Sequence, residues 1–237
     1  MCGRFFLSTS GAEIARRFDL DAAPALAPRF NIAPGQDLAL VRAERVGSAA
    51  TARRVLEMRL WGLVPRWVDD PRRAPGPINA RVETAAQLPI FREALAHRRG
   101  LVPADGFYEW QHRGRSARPF AVRIRGGEPF ALAALWEHWE RREAEEGGPV
   151  SIESCAIVTT DANARVRAIH DRMPLILPPE HWARWLDPAL RDVADLAPLL
   201  RPWPAEWTDL HPVDARVNDV REDDARLVEP ERDLFSA

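Results

Sequence analysis

There is no lysine in this chain; all 33 of its basic residues are arginine. Imine-forming proteins ordinarily use a lysine amine, so that chemistry is left to the chain's own α-amine. Cysteine is almost absent as well. Cys2 and Cys155 lie far apart and belong to no Cys-x-x-Cys or Cys/His cluster, which argues against a disulfide framework and a metal site. No apolar run approaches the ~20 residues of a membrane span, and no basic-then-apolar leader opens the chain. We therefore expect an intracellular, cytoplasmic protein with no membrane association. A formal net charge of −2 carries no global nucleic-acid signature. DNA binding would require arginines gathered on one face and acids elsewhere.

What is present reads as an ordinary soluble globular protein: 46% hydrophobic and 29% charged over 237 residues, enough for a substantial core. Neither a repeat nor a linker divides it. One domain is expected over 1–237, with an acid-rich, mobile tail from about 219. Ser10 and Glu13 are spaced as a capping box ahead of a short helix bearing Ile14 and Phe18. Further helices are expected over Pro89–His97 and PPEHWARWLD, where Trp182 and Trp185 stand three apart. GLVPADGFYEW, RPFAVRI, PFALAALW and IESCAIVTT read as consecutive strands, with 141–149 as an exposed hairpin connection. Cys155, among apolar neighbours, reads as a buried inert thiol.

The first residues, MCGRF, stand apart. Met1 precedes a small residue and can be removed, which makes Cys2 the N-terminus. An N-terminal cysteine carries an amine titrating near ~8 beside a thiol near ~8.5, both partly nucleophilic at neutral pH. The amine condenses with an aldehyde to a Schiff base, and the thiol then closes a five-membered thiazolidine. No internal cysteine can do this. Against it stands the plain reading of Cys2 as a small residue that follows the start.

Other candidates are polar residues in apolar, strand-like surroundings. Glu109 in GFYEW is either solvent-facing or held in a site with a raised pKa. His170 in IHDRMP is structural or catalytic, and Arg172 is either an anion fork or neutralised by Asp171. Asn79 and Arg81 share INARVET; they can bind a substrate and a phosphate, or form a turn and a surface ion pair with Glu83. Trp61 and Trp67 bracket a Gly-Leu-Val-Pro turn where an aromatic can stack on an unpaired base. The other tryptophans are read as packing.

In this order MCGRF, RFNIAPGQ, WGLVPRW, INARVET, DGFYEW, TTDAN, IHDRMPLIL and HPVDARVNDV resemble the SRAP family, the SOS-response-associated peptidases and abasic-site processing proteins. The resemblance spans nearly the whole chain. It implies an α+β fold of strongly curved, mostly antiparallel sheets in a barrel-like core with peripheral helices. It also implies a sensor that traps abasic sites in single-stranded DNA; we expect a monomer that needs no cofactor and is nucleoid-associated when bound. Cys2 would be the nucleophile after self-processing of Met1, with Asn79 positioning it. Glu109 would serve as acid/base for imine formation and any β-elimination, and His170 would assist sugar-ring opening. Arg4, Arg81 and Arg172 would hold phosphates, while Asn31, Trp67 and Thr159 would line the DNA path. The chain departs from the family in carrying Val68 where a second aromatic is often found. Three rivals remain open: an N-terminal-nucleophile amidohydrolase, a peptidase acting on other proteins, and a plain single-strand-binding module.

Overall fold

Period-two apolar runs dominate the chain, and they fold as two curved sheets. The computed structural model describes residues 2–45, 52–71, 76–114, 116–141 and 150–231. Met1 and residues 142–149 of the expected hairpin connection lie outside the described residues. In chain order the elements begin with β1 (Phe5–Leu7), α1 (Gly11–Phe18), β2 (Arg29–Ile32), β3 (Asp37–Arg45) and β4 (Ala52–Trp61). There follow β5 (Asn79–Arg81), α2 (Val82–Ala85), α3 (Pro89–His97), β6 (Arg99–Ala104), β7 (Gly106–Arg113) and β8 (Ser116–Ile124). The chain continues through β9 (Phe130–Arg141), β10 (Val150–Asp161), β11 (Arg172–Pro174), β12 (Ile176–Leu177), α4 (Pro179–Leu186), α5 (Val193–Leu196) and β13 (Thr208–Pro212).

Strands β10, β4, β3, β6 and β9 pair in that order, and β9 pairs back with β10, closing a five-stranded barrel. Strands β5 and β11 attach to β10, and β12 to β9. The other sheet runs β13-β8-β7-β1-β2, antiparallel throughout. Alternation gives it two different faces. Phe5, Phe107 and Val122 point into the barrel's core, whereas Phe6, Tyr108 and Ala121 point outward under Val213, Val217 and Leu227. The fold is thus α+β, mostly antiparallel, with a barrel core and short helices.

The run GLVPADGFYEW is not one strand. It breaks at Asp105, so that β6 belongs to the barrel and β7 to the other sheet. Asp105 makes the break by accepting hydrogen bonds from Ser8 N (2.6 Å), Ser8 Oγ (2.8 Å), Thr9 N (2.9 Å) and Thr9 Oγ1 (2.7 Å). Gly106 follows because a Cβ there would meet Phe6 Cζ at 2.1 Å and Val122 O at 2.8 Å. Ser10 Oγ caps α1 through Glu13 N (3.3 Å), while the Glu13 carboxylate turns to Arg16. Phe18 then stacks on Trp182 of α4 with centroids 4.4 Å apart.

The acid-rich end does not trail away. Residues 213–231 fold back across the outer face of β1, β7 and β8 in two 3-10 turns, burying Val213, Val217 and Leu227. Its acids are largely used: Arg216 pairs with Glu222 and Asp224, and Arg118 with Glu231.

Candidate functional site

The pairing of β1 with β7 positions Cys2. Phe5 lies opposite Phe107 and Phe6 opposite Gly106, and Tyr108 N donates to Arg4 O at 2.9 Å. Continuing this antiparallel register carries residues 2 and 3 alongside Glu109 and Trp110. Cys2 is completely buried. Burial pushes its thiol pKa far above the ordinary range, and the Glu109 charge pushes it further; the Arg4 main-chain N–H, directed at the sulfur, opposes them. Glu109 is itself 1% exposed. Loss of solvation, with Asp171 adding negative charge, raises its pKa from 4.5 to about 7.

Glu109 Oε1 is buried with no hydrogen-bond partner, and Oε2 stands 3.9 Å from His170 Nδ1. The imidazole is held by the turn that precedes it. His170 Nδ1 accepts the Arg172 N–H at 3.0 Å, and His170 N donates to Val166 O at 2.9 Å. Partial burial lowers the His170 pKa, favouring the neutral ring. Carboxyl, thiol and neutral imidazole are thereby supplied by three segments, each more than fifty residues from the next.

Strand β5 adds the INAR residues. Its parallel pairing sets Asn79 opposite Ile157 and Arg81 opposite Thr159, so these side chains share one sheet face. Asn79 Nδ2 reaches Ile157 O only at 3.5 Å, while Asn79 Oδ1 and Thr159 Oγ1 are buried without partners. Each such atom costs about 1–3 kcal/mol of lost solvation, so a group of them marks a place meant for something else. Arg81 is exposed and has no ion-pair partner among the described residues.

Other expected DNA contacts are placed differently. Arg172 is 8% exposed, and both terminal nitrogens of its guanidinium are engaged, while Nε is buried without a partner. It forks onto Glu83 (2.9 and 2.8 Å) and reaches Asp161 (2.7 Å) and Thr159 O (2.9 Å). Asp161 and Glu83, not Asp171, are its partners, and Glu83 is thereby taken from Arg81. Asn31, expected on the DNA path, is sealed from solvent and bonded to Arg4 and to residues 217–222. Arg4 donates to Asn31 Oδ1 and Val217 O, both at 2.7 Å. Trp61 is a core residue, edge-on to Phe5 and donating to Ile78 O. Trp67 is 53% exposed beside Arg66, Trp139 and Arg141 in a cleft of about 330 Å³. A larger cleft of about 600 Å³, walled by Trp203, Trp207 and Pro178, includes none of these residues. Cys155 is buried on β10, its thiol pushed up to about 12 by desolvation.

Asn163 of TTDAN was given no role by sequence reasoning, yet it anchors the His170 loop. Its Oδ1 accepts Arg165 N and Val166 N, and its Nδ2 donates to Trp203 O and Thr208 Oγ1. An Asx cap two residues before an apolar turn was the available signal.

A barrel with a second sheet that buries Cys2, the second residue, near a glutamate that itself faces a histidine defines a recognisable class. The chain belongs to the SOS response associated peptidase (SRAP) family, whose model matches residues 1–220. It is 33% identical over 238 residues to the abasic site processing protein YoaM of Bacillus subtilis, covering 99% of this chain and 100% of that one. It is 32% identical to the abasic site processing protein YedK of Escherichia coli, covering 97% and 100%. The abasic site processing protein HMCES of Gallus gallus is also 32% identical, over 86% of this chain and 66% of that protein. Among solved structures, a Bacteroides thetaiotaomicron protein superposes with a TM-score of 0.78 at 24% identity, over 98% of this chain and 100% of that one; it shares the fold.

Proposed function

We propose that this protein processes abasic sites in DNA by covalent capture through Cys2. Met1 is removed, and the freed amine and thiol condense with the ring-opened sugar aldehyde of an abasic site in single-stranded DNA. Relatives named abasic site processing proteins support the substrate class. The observation that carries the chemistry is the burial of the Cys2 thiol beside Glu109, a carboxyl raised to about 7.

Such a carboxyl is present in both protonation states at neutral pH, which suits it to act in turn as acid and base. His170 takes the hemiacetal hydroxyl proton and returns it to the departing ring oxygen as the sugar opens. The Cys2 amine adds to the aldehyde carbon, and Glu109 protonates the departing hydroxyl, so that one water leaves and a protonated imine forms. The thiol then bonds to the same carbon, its proton returns to the Glu109 carboxylate, and the iminium nitrogen keeps its hydrogen as the ring amine. Aldehyde and aminothiol thus become thiazolidine plus water. The same carboxylate can take the proton of a β-elimination, which is the route to lyase activity. Asn79, with its unpartnered Oδ1, orients the N-terminal amine. Arg81 meets a phosphate and Trp67 stacks on a neighbouring base, while Thr159, as buried as Asn31, has no exposed surface to offer a strand. Single-stranded DNA is favoured because its aldehyde is not held inside a stacked duplex. Arg172, neutralised by two carboxylates, holds the loop of His170.

The test is a denaturing gel with untagged protein and a strand carrying one abasic site. A heat-stable shifted band that requires both the abasic site and Cys2 is expected. A full-yield band with Cys2→Ala would contradict the mechanism. No band from wild-type protein lacking Met1 would redirect the assignment to amidohydrolase activity.

A further inference from the structure

A nucleophile at a chain end has a mechanical difficulty. Terminal residues ordinarily fray, whereas covalent capture requires near-contact geometry, and a 1 Å misplacement can cost about a hundredfold in rate. β1 is only three residues long and begins at Phe5, after Cys2. Something beyond the strand has to hold residues 2–4.

The side chain that does so reaches across the molecule. Asn31 Nδ2 faces three main-chain carbonyls, of Val217 (3.3 Å), Asp219 (3.0 Å) and Glu222 (2.7 Å). Its Oδ1 accepts Arg4 Nη1, and that same Nη1 donates to Val217 O. Arg4 in turn accepts Tyr108 N–H at its carbonyl, two residues along the chain from Cys2. Two more ties fix the same segment: Trp110 Nε1 donates to Asn218 Oδ1 at 2.8 Å, and the Asp223 carboxylate accepts Phe30 N and Arg29 Nε. Three motifs otherwise distant in sequence, MCGRF, RFNIAPGQ and HPVDARVNDV, meet at this one amide. Asparagine suits the place because it offers two donors to carbonyls and one acceptor to a guanidinium. An aspartate there would face three carbonyls with an acceptor.

We infer that residues 213–231 form a strap that sets the position of the Cys2 thiol through Asn31 and Arg4, which makes Asn31 a positioning residue and not a DNA ligand. The chemical consequence rests on the capture reading above; the mechanical coupling does not. Asn31 has no exposed surface to offer a strand, and Arg4 Nη1 is already shared between two acceptors.

The experiment is Asn31→Ala in the full chain, followed by three readouts. Amide exchange at residues 3–7 should accelerate about tenfold or more while α4 keeps its protection. The rate of adduct formation at saturating abasic single-stranded DNA should fall about tenfold or more. Affinity for the same strand without damage should stay within about twofold, since no phosphate contact is lost. Unchanged exchange at residues 3–7 overturns the inference. So does a large loss of affinity with an unchanged rate at saturation, which would make Asn31 a DNA contact. If wild-type protein forms no adduct, the capture reading fails and exchange alone decides the strap. Should Asn31→Ala not fold, Asn218→Ala removes only the exposed tie to Trp110; it should move exchange and rate the same way by a smaller factor, and no change in either overturns the inference.

Discussion

Glu109 stands between two partners: Oε2 lies 3.9 Å from His170 Nδ1, and its charge acts on the Cys2 thiol. Burial is the main cause that keeps all three groups near neutral charge, and the Glu109 charge adds to it at the thiol. A protonated thiol, a half-protonated carboxyl and a neutral imidazole form a site stocked with transferable protons.

Glu109→Gln separates chemistry from binding. Its folded-state pKa of about 7 lies above the ordinary 4.5, so between those values the folded protein holds a proton that the unfolded chain has released. Stability therefore falls as pH rises through that window and levels off above it. The substitution should raise unfolding free energy above neutrality by on the order of 3 kcal/mol and give no gain at the acid end. Urea unfolding at several pH values checks this. Adduct formation should slow by roughly 10²–10⁴-fold with affinity for intact DNA unchanged. A parallel loss of affinity would make Glu109 a structural residue.

An uncleavable N-terminal extension should be as damaging as Cys2→Ala, because it removes the free amine and leaves the thiol in place. Mass spectrometry of the terminus, paired with the gel assay, reads the result. Full crosslinking by the blocked protein would rule out an aminothiol mechanism.

Arg81 and Arg172 should behave differently despite equal charge. Arg81 is exposed, whereas Arg172 is bound to Glu83 and Asp161. Arg81→Ala should lower single-strand affinity and reduce the slope of log K against log salt by about 0.7. Arg172→Ala should leave that slope in place and lower the melting temperature. Salt titrations by fluorescence anisotropy distinguish the two.

Trp67→Ala should weaken binding to undamaged single strands by about 1–3 kcal/mol, the worth of one stacked base. With Val68 next to it, no second ring is there to compensate. Trp207→Ala, in the separate cleft, serves as the control and should leave affinity unchanged.

Much of this was legible from residues alone. Local signals placed α3 over Pro89–His97 and a capped α1, because Pro at the first turn and Ser10 ahead of an apolar stripe act within one helical turn. The strand runs were legible because alternation is local. Their division was not: GLVPADGFYEW reads as strand-like on both sides of Asp105, and its break depends on Asp105 meeting Ser8 and Thr9 from nearly a hundred positions away. The tail misled for a similar reason. Its charges suggested solvent, but Arg216 neutralises part of them locally and Leu227 is buried under a sheet face that sequence does not display.

By itself, then, the sequence determined the family, the cysteine at position 2 and the lack of lysine. It also supplied every polar group that the proposed chemistry uses. Tertiary structure decided which of those groups are available. Arg172 and Arg81 look alike as letters; one is neutralised by acids from two other elements and the other is exposed. Asn31 and Asn79 likewise differ only in what surrounds them: one amide is consumed by the strap, and the other keeps an unpartnered oxygen. The reason is that pairing and desolvation arise between segments distant in sequence, and a side chain's chemistry is what those segments leave free.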